Sequence, residues 1–164
     1  MTLDAAARIT EEEYISFSDG RGLSGEDRDK AIIVDLDGTL AVHNGARDPY
    51  DWEKCGDDFV EPVIHELVKM VAQRYRIIIC SGRPERSRAI CEEWLKEVAR
   101  LHYARLYLRK DGDFRSDDII KEEIFFDQIQ QHFDVRFVLD DRQQVVDMWR
   151  RIGLKCLQVA PGDF

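Results

Sequence analysis

No apolar stretch here runs beyond four or five residues; "AIIV" at 31–34 and "IIIC" at 77–80 are typical. A helical bilayer span needs about 20, so none is expected, and the acidic N-terminus does not read as a secretory signal. The four cysteines, Cys55, Cys80, Cys91 and Cys156, form no CxxC pair, and no histidines cluster beside them. That excludes the usual zinc spacings and points to free thiols in a reducing, intracellular and cytoplasmic setting. The glycine-rich GxxxxGK[ST] loop is absent, so no kinase activity is expected. Positive charge is also short. The net charge is -9, of which residues 1–30 carry -4. Broad binding along a nucleic-acid backbone is therefore disfavoured, while a site gripping one phosphorylated end stays open.

What is present is a chain of 164 residues, 44% apolar, long enough for one domain with a full core. Residues 1–29, with "SDGRGLSGEDRD", have no sustained period and read as a flexible tail or linker; residues 30–164 read as the domain. Strands are expected at 31–36, 76–80, 104–109, 135–140 and 154–159, because short apolar runs suit strands buried on both faces. Helical periods lie between them: Val63, Leu67, Val71, Tyr75; then Ile90, Trp94, Val98, Leu101; then Ile120 and Ile124, capped by Ser116; then Val145, Trp149 and Ile152, ended by Gly153. Five strands alternating with four helices predict a three-layer, Rossmann-like α/β fold with a five-stranded parallel sheet.

In such a sheet ligands bind beyond the carboxyl ends of the strands. The first strand runs into Asp35-Leu36-Asp37-Gly38-Thr39, the second into Ser81-Gly82-Arg83, the fourth into Asp140-Asp141. Two carboxylates two residues apart at a strand end repel each other, and burial adds a solvation cost, so a cation or a reaction must offset them. Oxygen ligands without sulfur or imidazole favour Mg²⁺, held by Asp35, the Asp37 backbone carbonyl, Asp140 and Asp141. The expected chemistry is phosphoryl transfer from an ester to water. Asp35 is the nucleophile and Asp37 the general acid and base, with Lys121 adding positive charge. Ser81, Thr39 and the backbone near Gly82 are candidates to bind the phosphate.

The ordered set "DLDGT", "SGR", a later helical lysine and "DD" resembles the haloacid dehalogenase (HAD) superfamily. The second aspartate of DxD implies a phosphatase rather than a dehalogenase. Residues 41–60 and 84–116 are too short for a large cap domain. "NGARDPYDWEKCGDD", "RSDDIIKEEIF", "HFDVRFVLDDRQQVVDMWRRIG" and "QVAPGDF" further resemble the 3′-phosphatase domain of phage-type polynucleotide kinase–phosphatases. That resemblance implies removal of 3′-phosphate, and opening of 2′,3′-cyclic phosphate, at DNA or RNA ends in end healing, alongside a separate kinase or ligase. It carries Arg47, Arg83 and Asp117 into the site as substrate-binding residues. Two other functions are consistent with the same residues: a broad small-molecule or phosphoprotein phosphatase, and a non-catalytic module of a repair complex.

Plainer readings exist for several residues. Ser81 could cap the next helix, Lys121 could pair with a neighbouring Glu at the surface, and Asp117 could simply be a helix-start acid. Tyr50, Trp52 and Phe59 could stack on a terminal base but more often pin their own loop. Arg109, Lys110 and Arg115 could touch a nucleic-acid backbone or lie in a solvated loop. Trp94 and Trp149 are expected only to fill the core.

Overall fold

Alternation inside the short apolar strands sets the layers. In β1 (Asp29–Val34), Ile32 and Val34 point to one side of the sheet and Ala31 and Ile33 to the other; in β4 (Arg76–Pro84), Ile77 and Ile79 oppose Ile78 and Cys80. All eight side chains are buried, as strands covered on both faces require. The computed structural model describes residues 28–45 and 47–162, so the expected tail falls outside the described residues except for Arg28 and Asp29.

The main sheet has five parallel strands in the order β5-β4-β1-β6-β7, where β5 is Arg105–Arg109, β6 Phe133–Asp140 and β7 Cys156–Gln158. The chain builds outward from β1 through β4 to β5, then returns to the other side of β1. Helices α1 (Pro62–Val71) and α2 (Arg88–Glu93) connect the first half, and their apolar residues pack with Ile32, Val34, Ile77 and Ile79. Helices α3 (Asp117–Ile124) and α4 (Gln143–Arg151) connect the second half and cover the opposite face with Ile33, Ile78 and Val138. Right-handed crossovers require this change of face when the direction of strand addition reverses. The reversal at β1 opens the crevice beside its carboxyl end.

Several expectations need correction. Strand β4 continues to Pro84 through a break in its pairing with β5 between Cys80 and Pro84, so Ser81, Gly82 and Arg83 lie within the strand. A two-residue antiparallel ribbon, β2 (Ala41–Val42) with β3 (Phe59–Val60), and a 3-10 turn at Trp52–Asp57 fill the segment after β1; among the described residues no large cap is built there. Val63 is exposed, because α1 turns Ile64, Leu67 and Val68 inward instead. Val98 is exposed as well. Helix α2 widens into a π turn at Trp94–Val98, which rotates the 3.6-residue beat away from that side chain. Ser116 occupies the cap position of α3, but its hydroxyl makes no cap bond. Helix α4 ends as expected: the Gly153 N–H donates to Arg150 and the Leu154 N–H to the Trp149 carbonyl. Among the described residues, no helix is long and apolar enough to cross a membrane.

Candidate active site

Strand β1 stops at Val34 because the next residues leave the ladder. The Asp35 N–H still donates to the Leu139 carbonyl at 3.0 Å, which fixes Asp35 beside the end of β6. The chain then turns tightly: the Thr39 and Ala41 N–H groups both donate to the Leu36 carbonyl. Gly38 has φ +80°, and a Cβ on it would run into the Asp141 carboxylate, so glycine is needed here for both conformation and space. The turn thus brings the first motif against the last.

Asp35, Asp140 and Asp141 are all buried and each offers an oxygen within 4.8 Å of the others. The Lys121 ammonium, buried on the inner face of α3, donates to Asp35 Oδ1 and to Asp140 Oδ2 at 2.8 Å each. Asp140 is held further by the Trp149 indole N–H at 3.2 Å and, through its other oxygen, by the Asp141 N–H at 3.0 Å. Trp149 therefore does more than fill the core. Three buried carboxylates share one ammonium, so they remain under-compensated. Burial pushes the Asp35 carboxyl well above the usual range, with Lys121 opposing and Asp140 and Asp37 reinforcing. Asp141 is raised by burial and by Asp140. Burial alone would lower Lys121, but the facing Asp140 and Asp35 outweigh it and raise it. An all-oxygen set of buried, under-neutralised carboxylates fits a hard divalent cation such as Mg²⁺.

Asp37 lives in a different environment. Its side chain is 43% exposed and is gripped from below by the Arg83 guanidinium, Nε to Oδ2 at 2.8 Å and Nη2 to Oδ1 at 2.7 Å. Arg83 is fully buried. It also donates to Asp58 Oδ2 at 2.8 Å and reaches Cys91 Sγ. Asp58 in turn takes two bonds from Arg47, at 2.8 and 2.7 Å. Arg47 donates onward to the Asp48 and Pro49 carbonyls and stacks over Trp52. The result is a buried relay, Asp37–Arg83–Asp58–Arg47, under the general region of Asp37. Arg83 and Arg47, expected to bind substrate, are paired with carboxylates within the fold. Two charge partners in each direction are what makes burying these guanidiniums tolerable. Beneath Arg83, the Cys91 thiol is pulled down to about 6 by the hydrogen bond from Cys55, against burial and with help from Arg83. All four cysteines are free and buried, and burial pushes Cys80 and Cys156 up to about 12.

Sequence reading missed Asp58. Its carboxylate is buried and its carbonyl accepts the Trp94 indole N–H at 2.8 Å. The available signal was indirect: two arginines near the DxD motif needed an internal acid.

The phosphate-side candidates are also brought to this rim. Ser81 is buried and its oxygen accepts the Arg83 N–H at 3.2 Å, so it is not a helix cap and its O–H can donate elsewhere. The Thr39 hydroxyl is buried without a hydrogen-bond partner. Gly82 leaves no room for a side chain, since a Cβ would sit 2.6 Å from Asp117 Oδ1. Asp117 is clamped by Arg109 on one oxygen and by Arg142, at 2.9 Å, on the other. It ties the ends of β5 and β6 to Gly82, rather than pointing as a free carboxylate into the crevice. Among the aromatics, Trp52 is pinned between Arg47 and an edge-on Tyr50 ring at 6.2 Å, which matches the loop-anchoring reading.

This geometry has close parallels. Residues 29–164 match the family described as the polynucleotide kinase PNKP phosphatase domain. A protein of Autographa californica nuclear polyhedrosis virus, named as a bifunctional polynucleotide kinase/RNA ligase, is 30% identical over 137 residues, which is 79% of this chain but 19% of that protein. A chain in the structure of the Pnkp1/Rnl/Hen1 RNA repair complex superposes with a TM-score of 0.80 at 44% identity, covering 84% of this chain and 44% of that one. The chain thus spans less than half the length of these two relatives. A class C acid phosphatase from Bacillus anthracis shares the fold at TM-score 0.58 and 17% identity, over 85% of this chain and 69% of that one. With residues 29–164 matched, the chain belongs to the HAD-type polynucleotide kinase PNKP phosphatase domain family.

Proposed function

We propose that the protein is a Mg²⁺-dependent polynucleotide 3′-phosphatase. The observation that carries the chemistry is the contrast within DxD: Asp35 sits against Lys121 among buried carboxylates, while Asp37 is half exposed and held by Arg83. The family match and the likeness to a chain of an RNA repair complex support the polynucleotide substrate.

The Asp35 oxygen not held by Lys121 attacks phosphorus. The bond from phosphorus to the 3′ oxygen breaks, and Asp37 gives its proton to that oxygen. An aspartyl phosphate remains. Water then attacks phosphorus, Asp37 takes its proton, and the acyl phosphate bond opens to release inorganic phosphate and free Asp35. Asp35, Asp140 and Asp141 would hold Mg²⁺, which neutralises their charge and that of the phosphate when bound. Lys121 bridges Asp35 and Asp140, offsets their repulsion and supplies fixed positive charge. Ser81, the unpartnered Thr39 hydroxyl and the side-chain-free Gly82 strand edge form the phosphate cradle. Arg83, backed by Asp58 and Arg47, orients Asp37. Arg109 and Arg142, through Asp117, hold the Gly82 segment in place.

A crevice without a large cap admits a strand end. Activity alongside a kinase or ligase is supported by the likeness to a protein named as a polynucleotide kinase/RNA ligase and to a chain of the Pnkp1/Rnl/Hen1 RNA repair complex. Free thiols fit a reducing intracellular compartment. The test compares phosphate release, with Mg²⁺ and with EDTA, from a 3′-phosphorylated oligonucleotide, its 5′-phosphorylated twin and 4-nitrophenyl phosphate. Fast, EDTA-sensitive release from the 3′ end is expected. Equal release from all three would replace the end-healing reading with a broad phosphatase.

A further inference from the structure

Phe114 is the most exposed large apolar side chain among the described residues, at 93%. An exposed phenylalanine on a loose loop would mean little. This one is not on a loose loop. Its two neighbours are Asp113 and Arg115, and the Arg109 guanidinium takes both of their carbonyls, at 2.8 and 2.5 Å. The Arg115 side chain is locked to the Asp113 carboxylate and to Glu123. The Asp113 N–H closes a turn on the Lys110 carbonyl at 3.1 Å. The backbone on either side of Phe114 is therefore fixed while its ring is left in water.

The same Arg109 guanidinium reaches the rim. Its Nε donates to the Gly82 carbonyl at 2.8 Å and its far nitrogen to Asp117, the carboxylate that packs on Gly82. One planar group thus couples the backbone that carries Phe114 to the Gly82 strand segment proposed to cradle the phosphate. An exposed hydrophobic ring on a backbone tied by Arg109 to the Gly82 rim suits a flat aromatic ligand attached to an anion bound there.

We propose that Phe114 is a stacking platform for a nucleobase of the strand whose 3′-phosphate enters the crevice, and so a specificity determinant for polynucleotide over small phosphate esters. The inference rests on the polynucleotide reading above. Stacking is tolerant of base identity because each base has a π face, which fits an enzyme that must accept any end. Arg109 is the positioning residue for this platform.

The experiment measures kcat/KM on a 3′-phosphorylated oligonucleotide and on 4-nitrophenyl phosphate, and takes their ratio, for the wild type, Phe114→Ala and Phe114→Trp. Phe114→Ala is expected to lower the ratio about tenfold, within the roughly 5- to 150-fold span of one base stack, chiefly through KM. Phe114→Trp should restore it. An oligonucleotide with abasic final nucleotides should erase the difference between wild type and Phe114→Ala. An unchanged ratio in Phe114→Ala, including an equal loss on both substrates, overturns the platform while leaving the polynucleotide reading intact. A wild type that shows no preference for the oligonucleotide defeats the parent reading, and the platform with it.

Discussion

Asp35 and Asp37 are separated by one residue, yet they occupy opposite surroundings. Asp35 is buried, sits against an ammonium and shares a pocket with two further carboxylates. Asp37 is 43% exposed and rests on a buried guanidinium fork, outside the cluster of three carboxylates. The Gly38 turn produces this split by lifting Asp37 out of the strand direction. Two chemically identical groups can then take different tasks, one bonded to phosphorus and one trading protons, because their environments and not their identities differ.

The comparison breaks most severely at Asp35. Asp35→Asn keeps the shape and the Lys121 contact but removes the attacking carboxylate, so phosphate release should fall on the order of 10⁴-fold or more. Single-turnover assays with a 3′-phosphorylated oligonucleotide would measure it; a loss below tenfold would place the nucleophile elsewhere.

The other half breaks from below. Asp58→Ala leaves the Arg83 and Arg47 guanidiniums buried beside one carboxylate fewer. Stranding buried charge costs about 3–5 kcal/mol, readable by urea denaturation at unchanged m-value. Activity should drop as well, because Asp37 loses its orientation. A change under about 1 kcal/mol would mean the relay is not what makes the burial of Arg83 tolerable.

Between these lies the pH dependence of the carboxylate cluster. Burial raises Asp35 and Asp141 above the usual range. For an acid raised in the folded state, the protonated form favours folding: that stability is full below the unfolded pKa and is lost as pH rises through the folded one. Mg²⁺ competes with those protons and so stabilises most where the carboxyls are ionised. At about a hundredfold over its dissociation constant it should raise Tm by roughly 5–10 °C near pH 7.5, and by less near pH 5. Equal shifts at both pH values, by differential scanning fluorimetry, would argue against a buried carboxylate site.

How much of this was legible follows from where each residue gets its meaning. "DLDGT", "SGR" and "DD" each abut a buried strand, so the topology alone gathers them on one rim. Lys121 in "KEEI" has the local pattern of a surface ion pair, and only the ordered resemblance suggested its inward face. Asp58 was not legible: its partners lie 11 and 25 residues away and it directly follows a 3-10 turn without a period. The carboxylate pairing of Arg83 and Arg47 was not legible either, because the sequence shows a charge near a site but not which acid it faces. Val98 fell to the π turn, which no 3.6-residue count anticipates. The two-residue strands β2 and β3 are too short to leave an alternation signal.

The smallest expected effect sharpens the same contrast one turn further on. The Thr39 hydroxyl is buried at the end of the DxDGT turn and has no partner, so the fold already bears its desolvation. Deleting an unsatisfied buried polar atom removes a penalty rather than a bond. Thr39→Val, which keeps the shape, should leave unfolding free energy within about 1 kcal/mol of the wild type or slightly above it. If that hydroxyl waits for a phosphate oxygen, KM for the 3′-phosphorylated oligonucleotide should rise severalfold while stability does not fall. A stability loss of about 2 kcal/mol with KM unchanged would instead make Thr39 a structural group whose partner is internal. The unpaired hydroxyl would then be no part of the phosphate cradle, and Ser81 with the Gly82 backbone would have to hold the anion alone.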